Sequence, residues 1–147
     1  MIEINNLAAP RIKKNFLVKI SKFVLAKERK KERNLSVALV GPERIKALNK
    51  KYRKKDRITD VLSFPEPKRA AWLKKGSILK NELGEIIICP AVIKENAKKF
   101  KSSFKKELAR TLIHGILHLL GLDHEKGEKE AKKMRKREEC YLKLIKF

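Results

Sequence analysis

The chain is short of the residues that most often carry chemistry. Its 147 residues include three histidines, three aspartates, two cysteines and one tryptophan. Cys89 and Cys140 are far apart and form no zinc-binding doublet, which argues against both a disulfide-stapled scaffold and a zinc ribbon. No apolar run reaches membrane-spanning length and no leader-like segment opens the chain, so the expectation is a cytoplasmic protein with free thiols and no membrane partner. Repeats, linkers and low-complexity segments are absent as well. The whole chain, 1–147, therefore reads as a single domain, long enough for a real core.

Acidic side chains are also scarce: 17 against 39 basic ones, a formal charge of +22. A surface of that sign attracts polyanions and speeds encounter with them. The excess is mostly lysine, which heat adaptation or genome composition also produces. Charge alone therefore favours nucleic acid without establishing it.

What is present is concentrated. All three histidines fall in His114-Gly115-Ile116-Leu117-His118-Leu119-Leu120-Gly121-Leu122-Asp123-His124. His114 and His118 are four apart, so on a helix both imidazoles leave one face, a turn apart. Gly121 suits the positive φ that commonly ends a helix, after which the chain can bring His124 back as a third ligand. Leu108 to Leu120 is apolar on nearly every face and predicts a buried helix. Its imidazoles then need partners, because an unmet buried polar group costs about 1–3 kcal/mol. A shared metal meets that need, whereas a lone histidine would more simply be a hydrogen-bonded core residue. Three nitrogen ligands with an open fourth position suit catalytic zinc, about one ion per chain. Cys89 or Cys140 as a fourth ligand would close the site and make it structural. The order H-x-x-x-H-x-x-G-x-x-H has the ligand spacing of metzincin peptidases, but the residue after the first histidine is Gly115, not the glutamate that serves them as general base.

The stretch His114 to His124 resembles the signature of the YbeY family of metal-dependent endoribonucleases, H-G-x-L-H-L-x-G-x-D-H, at every defining position. The resemblance continues in Asn49 to Phe64, similar to L-N-x-x-Y-R-x-x-D-x-x-T-D-V-L-S-F, and in Gly84 to Ile88, similar to L-G-D-I-x-I with Glu85 in place of aspartate. It implies a single-strand-specific endoribonuclease acting in ribosomal RNA processing, notably at the 3′ end of the small-subunit RNA, with the ribosome or its associated proteins as partners. It also implies a functional role for Arg53, which nothing else distinguishes among ten arginines.

In chain order, Ile2 to Leu7 reads as a strand and Arg11 to about Arg29 as an amphipathic helix, with Pro10 in its first turn. Leu35 to Val40 is a strand stopped by Gly41-Pro42, Pro42 to Tyr52 a helix, and Val61 to Phe64 a strand ended by Pro65. The 66–80 segment, rich in basic residues, reads as a loop whose Trp72 either packs it down or stacks on a base. Gly84 to Cys89 is a strand and Pro90 to Phe100 a helix. Ser102 or Ser103 caps the histidine helix, and Gly127 to Leu144 is the last helix, with Met134, Tyr141, Leu142 and Ile145 inward. The order β-α-β-α-β-β-α-α-α predicts an α+β domain: a small mixed sheet of about four strands packed with about five helices.

The expected chemistry is hydrolysis of RNA, with zinc supplying an activated water, Arg53 forking onto a phosphate, and basic segments guiding the strand. Asp123 either assists as a base or orients a ligand imidazole. Glu85 is a further catalytic candidate, on the family pattern alone. A hydrolase of another class, such as a metzincin-like peptidase or amidase, and a non-catalytic zinc-stabilised RNA- or ribosome-binding module are the competing readings.

Overall fold

A computed structural model describes residues 1–8, 11–65 and 81–147. Pro10, Trp72 and the predicted loop 66–80 lie outside the described residues. The elements run β1 (Ile2–Asn6), α1 (Lys14–Lys27), β2 (Asn34–Leu39), α2 (Pro42–Arg53), β3 (Val61–Pro65), β4 (Glu82–Ile88), α3 (Pro90–Lys99) and α4 (Phe104–Leu119). A short 3-10 turn (His124–Lys126) and α5 (Glu128–Leu144) complete them. This is the expected α+β order. The first helix starts three residues later than the pattern suggests, because no Ser, Thr, Asp or Asn precedes it; Lys13 stands extended at its start without a side-chain cap. The histidine helix is capped by Ser103, whose hydroxyl accepts from the Lys106 N–H.

The four strands form one mixed sheet in the order β1-β2-β4-β3. β1, β2 and β4 are parallel, and β3 is antiparallel to β4 at one edge. Parallel neighbours need a crossover, and α1 carries the chain from β1 to β2. Alternation along β2 sends Leu35, Val37 and Leu39 into the larger core, with Ile86 and Ile88 of β4 beside them. That face is covered by α1, α4 and α5. A smaller cluster, Val40, Ile45, Leu62, Ile87 and Cys89, fills the other face beneath α2.

α4 is the element against which most of the larger core is laid. Leu108, Ala109, Leu112, Ile113, Ile116 and Leu117 are all buried on it. Gly115 lets it approach the sheet: a Cβ there would meet Ile86 side-chain carbons at 3.0 Å. The position a peptidase uses for its glutamate is thus occupied by helix–sheet packing. The helix ends on a Schellman motif, Gly121 N–H to His118 O at 3.1 Å and Leu122 N–H to Leu117 O at 3.1 Å. Gly121 has φ +105°, which an L side chain adopts only under strain. Among the described residues no helix is long and apolar enough to cross a membrane.

Candidate metal centre and active-site cleft

A cleft of about 640 Å³ lies between α4, the end of α2 with the loop after it, the β3 edge and the turn that presents His124, and every histidine lines it. The sequence reading of α4 as apolar on nearly every face needs correcting here. Glu107, Arg110, Thr111, His114 and His118 form a continuous polar stripe along the cleft wall. His114 and His118 are half-buried rather than enclosed. The stripe follows the helical repeat, which is why the ligand candidates open onto one space while the opposite side fills the core.

The stripe is cross-braced. Thr111 Oγ1 donates to the Glu107 carbonyl at 2.8 Å. Arg110 Nε lies 3.4 Å from the Glu107 carboxylate, and its Nη1 donates to Glu139. Burial pulls the Arg110 pKa down, but the hydrogen bond and charge of Glu139, with Glu107 and Glu138, outweigh it and raise it overall. The same Arg110 hydrogen bond holds the Glu139 carboxyl below its usual range.

At the C-terminal end of α4 the chain turns back and brings His124 beside His118; Asp123, not His114, joins them as the third possible donor. His118, Asp123 and His124 each offer a ligand atom, all within 4.8 Å of one another. The His114 and His124 ring centroids are 5.0 Å apart, and those of His118 and His124 6.4 Å. Asp123 Oδ1 accepts from the Glu125 N–H at 2.9 Å, capping the short turn that presents His124. That hydrogen bond, aided by His118, His124 and Lys126, lowers the Asp123 pKa and keeps its carboxylate charged. Burial holds the His118 imidazole below its ordinary range; His114, Arg53 and His124 push the same way, against Asp123. A neutral imidazole beside a charged carboxylate is the protonation pattern that a divalent metal requires of its donors.

His114 is held differently. Its Nδ1 pairs with the Glu138 carboxylate of α5, which is only 6% exposed. A carboxylate accepts, so Nδ1 is the donor in this pair and Nε2 is the nitrogen left to face a metal. This is the carboxylate–histidine arrangement that orients metal ligands. Glu138 escaped the sequence reading, although a signal was there. It falls in the inward register of α5 with Met134, Tyr141 and Leu142, where a glutamate is out of place unless paired.

Arg53, at the end of α2, lines the cleft, and its Nη2 donates to the Ser63 carbonyl on the β3 edge at 2.8 Å. Its guanidinium lies 5.9 Å from the Phe64 ring centroid. Glu85 is not brought to the cleft. It shares its sheet face with Ile87, on the side away from α4, because Ile86 and Ile88 face the helix. Neither cysteine joins the ligand group: Cys89 is buried in the smaller core, and Cys140 is exposed on α5.

An α+β domain whose helix and following turn gather imidazoles and a carboxylate in a cleft lined by Arg53, Lys55, Arg57 and Arg110 has the make-up of a metal-dependent hydrolase. The comparisons with known proteins agree with that class and narrow it. A family model described as Endoribonuclease YbeY matches residues 3–146. An endoribonuclease YbeY of Thermodesulfovibrio yellowstonii is 46% identical over 118 residues, covering 76% of this chain and 67% of the relative. That of Thermotoga neapolitana is 41% identical over 112 residues, with the same two shares, 76% and 67%. The solution structure of TM1509 from Thermotoga maritima is similar at 36% identity with a TM-score of 0.67, covering 97% of this chain and 87% of that one. The chain belongs to the endoribonuclease YbeY family, whose members are RNA-cleaving hydrolases.

Proposed function

We propose that the protein cuts single-stranded RNA with one divalent ion per chain, held where His114, His118 and His124 converge with Asp123 beside them. The observation that carries this is the gathering of His118, Asp123 and His124 within 4.8 Å of one another, in a cleft that His114 and a guanidinium also line. The donor set fits such an ion: one imidazole kept neutral by burial, one aligned by Glu138, and a carboxylate kept charged by a backbone N–H. Imidazole donors favour zinc over the oxygen-seeking cations. When bound, zinc supplies a Lewis acid and brings the pKa of a water ligand to about 7.

The chain's own groups do the rest. Arg53, tethered at one end to Ser63, keeps guanidinium donors available to a phosphate that gathers charge. Asp123 lies within the ligand group and can accept a proton there. Lys55, Arg57 and Arg110 line the way in for the strand. The physiological task consistent with the family is ribosomal RNA processing in the cytoplasm, at the 3′ end of the small-subunit RNA and in company with the ribosome. A peptidase or amidase reading is disfavoured because Gly115 leaves no room for a side chain on that face of α4. Incubating the pure protein with labelled single-stranded RNA and with casein, with and without chelator, tests the reading. RNA should be cut, casein spared, and cutting abolished by chelator and by His118→Ala. RNA bound but uncut under every condition would leave a non-catalytic binding module.

A further inference from the structure

The cleft does not end at Arg110. A second cavity of about 540 Å³ opens at the junction of α3 and α4, lined by Phe100, Lys101, Ser102, Ser103, Lys106, Glu107 and Arg110. Phe100, Glu107 and Arg110 line both cavities, so the two spaces meet along these residues. Phe100 is 61% exposed, an unusual position for a phenyl ring on a surface this charged. Lys99 Nζ lies 5.8 Å from its ring centroid. Lys101 follows in the left-handed conformation, φ 52°, where a glycine is the ordinary occupant. Glu107, the one acidic residue lining the second cavity among the described residues, is engaged by Arg110, so Lys101 and Lys106 leave the space positive.

We propose that this junction is a nucleotide-binding subsite: a base of the substrate strand stacks on Phe100 while Lys101 and Lys106 meet its phosphates, upstream or downstream of the cut. An exposed aromatic set among lysines is the combination that holds single-stranded nucleic acid without reading its sequence. A protein partner would be served by the ring and hindered by the charge, whereas an RNA strand uses both. Continuity with the metal-site cleft puts both spaces on one path. Glu107 and His118 are eleven positions apart on α4, about 16 Å of helix. At a stacked spacing of about 3.4 Å per nucleotide that corresponds to roughly five nucleotides, fewer for an extended strand. The inference rests on the proposed action on single-stranded RNA and adds a length requirement and an anchor to it.

The test uses fluorescein-labelled oligoadenylate, measured both by anisotropy and as a cleavage substrate. Phe100→Ala should weaken binding and raise KM roughly tenfold, the scale of one lost stacking contact, with kcat unchanged. Phe100→Tyr and Phe100→Trp should restore both values. The difference between wild type and Phe100→Ala should vanish on strands too short to span from the metal site to the ring. Lys101→Ala and Lys106→Ala should each reduce the slope of log affinity against log salt by about 0.7. A Phe100→Ala protein that binds and cuts long oligoadenylate like wild type overturns the subsite and leaves the ring to a protein partner. Wild-type protein that binds oligoadenylate through Phe100 but never cuts it sinks the proposed cleavage while keeping the subsite. Wild-type protein that neither binds nor cuts it overturns both.

Discussion

Arg53 is the residue whose part in the chemistry is most exposed to test. Its hydrogen bond to Ser63 also braces the β3 edge, so a structural and a catalytic role make different demands on a substitution. If the guanidinium grips charge that builds only during cleavage, Arg53→Ala should slow cutting roughly 100- to 1000-fold, the loss typical of one such donor. RNA affinity should hardly move on a chain with 39 basic residues, and metal content should stay normal. Arg53→Lys should recover little, since an ammonium cannot make the forked contact. Normal cutting by Arg53→Ala in single-turnover assays would leave the residue as an edge brace only. Glu138 makes the complementary case: if His114 holds an ion, Glu138 acts on it through that ring. Glu138→Gln keeps the shape and a hydrogen-bonding oxygen but loses the charge, and metal affinity in a competitive chelator titration should fall about 10- to 100-fold. Unchanged affinity would make the pair a packing feature of the α4–α5 contact.

At the scale of elements, two contacts set how α4 and α5 sit. Gly115 against Ile86 fixes how closely α4 lies on β4. Replacing a helical glycine by alanine ordinarily gains up to about 1 kcal/mol. Here the added methyl meets carbons already at 3.0 Å, and overpacking of that kind costs about 1–3 kcal/mol. Gly115→Ala should therefore lower stability in urea titrations, and Ile86→Val in the same chain should relieve part of the loss. A stabilised Gly115→Ala would show that Ile86 yields freely. α5 is tied to the end of α1 by Tyr141, whose hydroxyl donates to Glu28, with Arg137 on the same carboxylate. Burial, with the Glu28 carboxylate next, raises the Tyr141 pKa above its ordinary value. The unfolded phenol ionises near pH 10, so the stability this residue lends is whole below that pH and lost as pH rises above it. Tyr141→Phe should cost about 1–3 kcal/mol near neutrality. It should also flatten the alkaline fall in melting temperature, and an equally steep fall in Tyr141→Phe would assign it to other groups.

For the whole molecule the governing quantity is the charge of +22. Each phosphate neutralised releases condensed cations, so affinity for single-stranded RNA should fall with salt at a slope of about −0.7 per contact in a log–log plot. Equal affinity for duplex DNA, or binding indifferent to salt, would mean that the basic surface has another purpose. The cleft walls and the Phe100 junction share lining residues and carry the same sign of charge. Neighbouring surfaces of the same sign can hold a continuous polyanion that neither grips alone.

Much of this was written in the chain itself. Helix and strand order followed from periodicity and from Pro42, Pro65 and Pro90, because each is a local steric fact. The return of His124 to His118 followed from a helix-ending glycine within one short stretch, whereas Asp123, which joins them as a possible donor, was expected only as a base or an orienting residue. Four things did not follow. Glu85 was drawn toward the site by its motif, yet which of Glu85 and Ile86 faces α4 depends on pairing register, and a one-residue slip would exchange them. Glu138 had to wait for α5 to fold back across 24 positions onto His114. The polar stripe on α4 lay in the helical repeat, but that the sheet edge leaves that face uncovered did not. The Phe100 junction needed two helices brought end to end. A sequence states which side of its own element a residue occupies; what stands opposite is decided by packing between elements, whose registers and crossing geometry no local pattern records.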